Sequence, residues 1–84
     1  MKPIRLSAHA SGYKHKRGFS EAEVKTAIQG SSWQTASSGR LECRYNFSFG
    51  QIWNGKFYST KQIRPVFVEE ADESVVVTVY TYFF

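Results

Sequence analysis

The sequence predicts a two-layer α+β domain: a short first strand and a helical hairpin, then an antiparallel meander of three or four strands. Three observations support this prediction. Residues 75–84 (VVVTVYTYFF) are all β-branched or aromatic, which is typical of a central strand. Residues 41–49 alternate between apolar and polar without a break, as in a strand with one wet face. Residues 8–30 carry the start and stop signals of two short helices.

The composition indicates one domain, residues 1–84, with a modest core. A single cysteine excludes an internal disulfide, and there is neither a positively charged lead with an apolar segment nor an apolar run of membrane length. We therefore expect a cytoplasmic protein without a membrane segment. The first 68 residues carry all eleven Lys and Arg against three Glu. Such a basic body attracts phosphate backbones or an acidic protein segment, although plain solubility is the alternative.

The first elements are a short edge strand and a short helix. Ile4 and Leu6 alternate around a charged residue after a proline, which an edge strand tolerates. Ser7 is an N-cap for a helix over residues 8–17, and Gly18 is suited to end it in the left-handed conformation.

The second predicted helix has the clearer signals. Ser20 and Glu23 form an S-x-x-E capping box, and Phe19 before the cap can pack on Val24. Gly30 ends the helix, and its apolar stripe is formed by Val24, Ala27 and Ile28. Two short helices of this kind need a sheet to cover.

A polar loop over residues 31–39, which we expect Trp33 to anchor, leads into the alternating strand 41–49. Cys43 falls on the apolar parity and is interpreted as a small core residue, not a reactive thiol. The Asn54-Gly55 pair predicts a hairpin. The next strand covers residues 61–70, where Pro65 indicates a bulge or the rim of the sheet.

The last two segments are a charged turn and the final strand. Four carboxylates in residues 69–73 lack metal-ligand spacing, so a solvated turn is the preferred interpretation. In the final strand, strict alternation assigns one set of side chains to the core: Val75, Val77, Val79, Thr81 and Phe83. It assigns the other set to an open face: Val76, Thr78, Tyr80, Tyr82 and Phe84.

The early histidine in Ser7-Ala8-His9-Ala10, the segment Arg17-Gly18-Phe19-Ser20 and the terminal Val77-Thr78-Val79-Tyr80 together resemble a known family. It is an uncharacterised domain-of-unknown-function family allied to the BrnT toxins, within the RelE/ParE-like superfamily of bacterial toxin-antitoxin systems. The resemblance covers nearly the whole chain in element order (β-α-α-β-β-β), and His9 and the terminal segment match characteristic positions. It implies a toxin-like fold whose relatives include ribosome-dependent messenger-RNA endonucleases, free ribonucleases and gyrase poisons.

RNA cleavage without a metal needs a base, a group that stabilises charge on phosphorus, and an acid. His9, Arg64 and Tyr80 are the candidate catalytic residues. His9 at a helix start would be biased toward a base, although it could equally cap or pack at that junction. Tyr80 could stack a base or give a proton, or could instead join an apolar ladder with Phe84 under a partner.

Five further residues are candidates for RNA binding, because basic groups interleaved with stacking rings commonly hold single-stranded RNA: Arg44, Asn46, Lys61, Thr78 and Tyr82. Each cation alone is explained as well by solvation. The basic run over residues 14–17 suits the negative end of a helix dipole, and steering of RNA is its secondary interpretation.

No cluster with metal-ligand spacing, Gly-rich phosphate loop or nucleophile elbow occurs, so no metal or cofactor is expected. Two hypotheses follow. The first is a toxin-like domain that acts on RNA or the ribosome, as a metal-independent endoribonuclease by analogy with the family. The second is a non-catalytic module that binds an acidic partner such as an antitoxin, or that self-associates.

Overall fold

The computed structural model describes residues 2–84, in which three short helices cover one face of a six-stranded sheet. In chain order the elements are β1 (Ile4–Leu6), α1 (Ala8–Ser11), α2 (Lys14–Arg17), α3 (Glu21–Gly30), β2 (Gln34–Thr35), β3 (Leu41–Glu42), β4 (Tyr45–Trp53), β5 (Lys56–Glu69) and β6 (Ser74–Phe83). The predicted α+β class is therefore confirmed. None of the helices within residues 2–84 is long and apolar enough to cross a membrane.

The sheet is built around β5 and β6. Its strand order is β1-β6-β5-β3-β2, with β4 also paired to β5; β1 lies parallel to β6 at one edge, and the other pairs are antiparallel. Strands β3 and β4 lie end to end along β5, since the Cys43 N–H donates to the Pro65 carbonyl between them. Pro65 has no N–H to return, so the predicted strand 41–49 is interrupted at residues 43–44.

The core lies between the helices and one face of the sheet. Helix α3 begins at the predicted capping box, in which Ser20 and Glu23 bond reciprocally, and it buries the predicted stripe. Its partners on the sheet include Ile63 and Phe67, both fully buried. The buried cluster comprises Ile4, Ala10, Phe19, Val24, Ala27, Ile28, Cys43, Ile63, Phe67, Val76 and Val79.

The predicted helix over residues 8–17 is instead two four-residue helices, α1 and α2, separated at Gly12 and Tyr13. Glycine lowers helix stability by up to about 1 kcal/mol, and so short a segment has few hydrogen bonds with which to offset that cost. Ser7 caps α1 through its hydroxyl, as expected, and Gly18 ends α2 at φ 72°.

The expected faces of β6 are wrong in its first half. Thr78 pairs with Val66, whereas Val76 pairs with Phe67, so Val77 is an extra residue that bulges from the ladder. The bulge reverses the alternation: Val76 is fully buried in the core, Val77 is half-buried, and Val79 returns to the core. Beyond the bulge the expected faces hold, with Tyr80 and Tyr82 on the side away from the helices.

Pro65 does not mark the rim of the sheet. It lies in β5, which has neighbours on both sides, and the irregularity beside it is the bulge at Val77. The predicted hairpin is confirmed, since Asn54 and Gly55 join β4 to β5 with φ of 50° and 81°. Trp33 does anchor its loop, because its Nε1 donates to the Ile28 carbonyl at 2.8 Å and its ring meets Phe67 edge-on.

Candidate functional site

The face of the sheet away from the helices presents four rows of side chains, each running from residues 41–53 across β5 to residues 74–84. We call this surface the open face. The first row is Glu42, Val66 and Thr78. The third row is Asn46, Gln62 and Tyr82. The fourth row is Ser48, Thr60 and Phe84. The register of the flanking pairs gives the second row, Arg44, Arg64 and Tyr80.

Arg64 is central to the open face. Its guanidinium carbon lies 4.5 Å from the ring centroid of Tyr80 and 5.7 Å from that of Tyr82. Its nearest carboxylate belongs to Glu42, whose Oε2 is 3.8 Å from Nε, too far for a hydrogen bond. That Nε is buried without a hydrogen-bond partner. The cation is therefore held by two aromatic rings, and its charge is only loosely balanced.

Arg17 joins the open face from α2, which the sequence did not predict. Its Nη1 donates to the Val79 carbonyl at 2.8 Å and to Thr78 Oγ1 at 3.2 Å. The guanidinium carbon lies 4.1 Å from the ring of Tyr13 and 5.4 Å from that of Tyr80. Tyr80 is thus flanked by two guanidinium groups. Nothing in a local pattern signals these contacts, because Arg17 is 61 positions from Thr78 and 62 from Val79 along the chain.

The Arg44 side of the open face is polar and accessible. Arg44 is exposed, and the register places its side chain beside that of Arg64. In the next row Gln62 Nε2 donates to Asn46 Oδ1 at 2.9 Å. Gln62 was not among the predicted site residues, although alternation from Arg64 along β5 would have placed it on this face.

Lys61 does not belong to the open face. It lies on the helix-side parity of β5, where its Nζ is 2.7 Å from Glu23 Oε2 and donates to the Gly18 carbonyl at 3.1 Å. The predicted grouping of Lys61 with the open-face residues is therefore corrected. Adjacent side chains of a strand point to opposite faces, so Lys61 and Gln62 cannot share one.

His9 stands apart from Arg64 and Tyr80. It is exposed on α1, and its ring centroid lies 5.0 Å from that of Tyr13, whose ring in turn contacts Arg17. Among residues 2–84, neither a hydrogen bond nor a ring contact joins His9 to Tyr80 or Arg64. Of the three candidate catalytic residues, Arg64 and Tyr80 meet, and the contacts that link His9 to Tyr80 run through Tyr13 and Arg17.

Other titratable groups have structural explanations. Burial raises the pKa of the Cys43 thiol to about 11, and its Sγ contacts the Ala27 carbonyl in the core. Hydrogen bonds from Lys2 and then Ser74 hold the pKa of Glu69 below its usual value, and Arg5 does the same for Glu73. No cluster of metal-ligating side chains occurs within the described part of the chain.

Comparisons of the chain with family models, with curated proteins and with solved structures found no match. The chemistry of the open face is therefore the basis for assigning a function.

Proposed function

We propose that the protein binds single-stranded RNA across the open face, as an RNA-interacting domain of the RelE/ParE-like toxin kind. One observation carries the proposal: Tyr80 lies between the guanidinium groups of Arg17 and Arg64, with Tyr82 beside the latter. Cations alternating with accessible rings match a sugar-phosphate backbone that carries unstacked bases.

The spacing of the rings supports the same function. Tyr80 and Tyr82 are two residues apart on one face of a strand, a separation of about 6.8 Å. They are 38% and 40% exposed, so each ring offers a surface for stacking. Base stacking on an aromatic ring contributes about 1–3 kcal/mol for each base, whatever its identity. Arg64 and Arg44 supply charge for the intervening phosphates.

Binding is tested by fluorescence anisotropy with labelled single-stranded and duplex RNA of equal length. We expect tighter binding of the single strand and about a tenfold loss for Tyr82→Ala, corresponding to one stacked base. Phe57→Ala is the matched control, since Phe57 is 59% exposed but lies outside the four rows. Equal loss in both variants, or no binding of single-stranded RNA, would refute the proposal.

Cleavage of the bound RNA is a separate hypothesis that extends the proposal. Tyr80 could protonate a leaving oxygen while Arg17 and Arg64 stabilise the phosphate, but the separation of His9 from them leaves the base unassigned. Tyr80→Phe keeps the ring and removes the hydroxyl, so it separates cleavage from binding. The test compares growth inhibition and RNA integrity, with and without ribosomes, for the wild type, Tyr80→Phe, Arg64→Ala and His9→Ala.

A second candidate function is a non-catalytic module that docks an acidic protein segment, such as that of an antitoxin, or a second copy of the chain. It is favoured by Ile52 and Phe57, which pair across the β4–β5 hairpin and are 63% and 59% exposed. RNA does not need such an apolar pair, whereas a protein partner would cover it. Light scattering at several concentrations, and titration with an acidic peptide in competition with RNA, distinguish these possibilities.

A further inference from the structure

A cleft of about 710 Å³ opens at the free edge of β4, next to the open face. It lies between the C-terminal end of α3, the segment that follows this helix, and the first residues of β4. Ser31 Oγ donates to the Arg44 carbonyl at 2.9 Å and so ties the helix end to the strand. Three of the lining residues, Arg44, Asn46 and Gln62, also belong to the open face. A chain lying along the second and third rows can therefore turn into the cleft.

The cleft is lined mainly by polar residues, which suit a polar planar group. Ser31, Ser32 and Gln34 line it together with the Asn46 and Gln62 amides. The hydrogen bond from Gln62 Nε2 to Asn46 Oδ1 leaves Gln62 Oε1 as an acceptor and Asn46 Nδ2 as a donor. One donor beside one acceptor matches the edge of a nucleobase.

The C-terminal end of α3 favours ligand groups that donate hydrogen bonds. The C-terminus of a helix carries partial negative charge on its last carbonyl groups. Trp33 Nε1 and Cys43 Sγ already contact the carbonyls of Ile28 and Ala27, on the core side of α3. At Gly30, where α3 meets the cleft, a Cβ would lie 3.1 Å from the Tyr45 ring, so the ring forms a close wall. This negative end favours an amino group over a carbonyl oxygen.

We propose that the cleft takes one everted nucleotide of the RNA, with a preference for bases that carry an exocyclic amino group over uracil. The cleft volume falls within the usual range of 300–1,000 Å³ for small-ligand sites, enough for a nucleotide. Arg44 at its mouth receives the phosphate, while the amides and the helix end receive the base. This inference rests on the proposed binding of RNA by the open face.

The test compares the affinities of oligoadenylate, oligocytidylate and oligouridylate for the wild type and for Gln34→Ala. Gln34 lines the cleft but lies outside the four rows, and it is exposed, so the variant is expected to fold. We expect the wild type to prefer adenylate and cytidylate about fivefold, the effect of one hydrogen bond. Gln34→Ala should reduce that preference, measured as the ratio of the affinities for oligoadenylate and oligouridylate.

A bulky substitution gives a second readout. Ser32→Leu adds a bulky side chain to the lining of the cleft and should abolish the base preference. The amide signals of residues 31–34 should shift when AMP is added to the wild type but not to Ser32→Leu. Equal affinity for the three oligonucleotides, or a preference that survives Ser32→Leu, would overturn the inference while leaving RNA binding by the open face intact. Failure of all three to bind would overturn both.

Discussion

The guanidinium group of Arg64 stacks on the ring of Tyr80, with 4.5 Å between its central carbon and the ring centroid. The two residues face each other across β5 and β6, so the contact follows from the register of this strand pair. A cation over a ring contributes about 0.5–2 kcal/mol, depending on how far it is desolvated. The pair is therefore a basic and aromatic element on the face of the sheet away from the helices.

Replacing Arg64 with alanine should weaken binding of single-stranded RNA about tenfold, because one phosphate contact and the orientation of Tyr80 are lost together. The slope of log K against the logarithm of salt concentration should become less steep by about 0.7, because one phosphate contact is lost. Arg64→Lys should keep the salt dependence and recover part of the affinity. Anisotropy titrations over a series of salt concentrations measure both quantities.

Lys25→Ala is the control for this experiment. It removes one positive charge from an exposed position of α3, where Lys25 pairs with Glu21. If Lys25→Ala and Arg64→Ala weaken binding equally, the effect is that of net charge, and the open face is not the binding surface.

The bulge at Val77 sets which side chains of β6 reach the open face. Deleting Val77 would remove the extra residue and make the β5–β6 ladder regular, with Val76 and Val79 still facing the core and Tyr80 and Tyr82 still on the open face. We expect the deletion to cost no more than about 3 kcal/mol, from the change in local twist and the loss of one half-buried side chain. Val77→Thr keeps the residue count and the β-branch at this half-buried position, and it should cost no more than about 1 kcal/mol. Urea denaturation compares the two, and a deletion variant that fails to fold would contradict the assignment of Val77 as the extra residue.

Two glycines with the same φ allow the cost of backbone strain to be measured separately from the cost of a steric contact. Gly18 and Gly39 both have φ of 72°, but a Cβ at Gly18 would lie 2.7 Å from the Trp53 ring, whereas Gly39 faces open space. Gly39→Ala should cost about 1–2 kcal/mol from the left-handed conformation alone. Gly18→Ala should cost about 1–3 kcal/mol more, because Trp53 must move from its stack on Phe83. Thermal denaturation of the two variants tests this, and equal losses would exclude the contact.

The loss of stability at low pH should depend on two ion pairs near β1. Hydrogen bonds from Lys2 and Arg5 lower the pKa values of Glu69 and Glu73 from the ordinary value of 4.5. The stabilisation that the two ion pairs give to the folded protein is fully present above pH 4.5. It is lost as the pH falls through the lowered pKa values that the two carboxyl groups have in the folded protein. The double variant Glu69→Gln/Glu73→Gln should therefore be less stable near neutral pH and should lose less stability on acidification.

Melting temperatures between pH 2 and 7 measure this effect. Asp72→Asn is the control, since Asp72 is in the same turn but outside both ion pairs. A double variant whose profile parallels that of the wild type would show that these pairs do not contribute to acid unfolding.

Local patterns determined much of the fold. The capping box at Ser20 and Glu23, the helix end at Gly18 and the Asn54-Gly55 hairpin depend on neighbouring residues, so the sequence alone was sufficient to predict them. Alternation likewise predicted that Arg44 and Asn46 point away from the core. The candidate toxin-like function rests on a resemblance, and it stays a proposal.

Tertiary structure decided the membership of the open face. Alternation assumes an unbroken ladder, and the extra residue at Val77 becomes visible only when β6 is aligned with β5. Lys61 was grouped with Arg64 by charge, yet it lies on the helix side beside Glu23. Arg17 reaches Tyr80 only because α2 packs at the edge of β6. Strand register and helix placement arise from contacts between distant segments, and a local pattern does not contain that information.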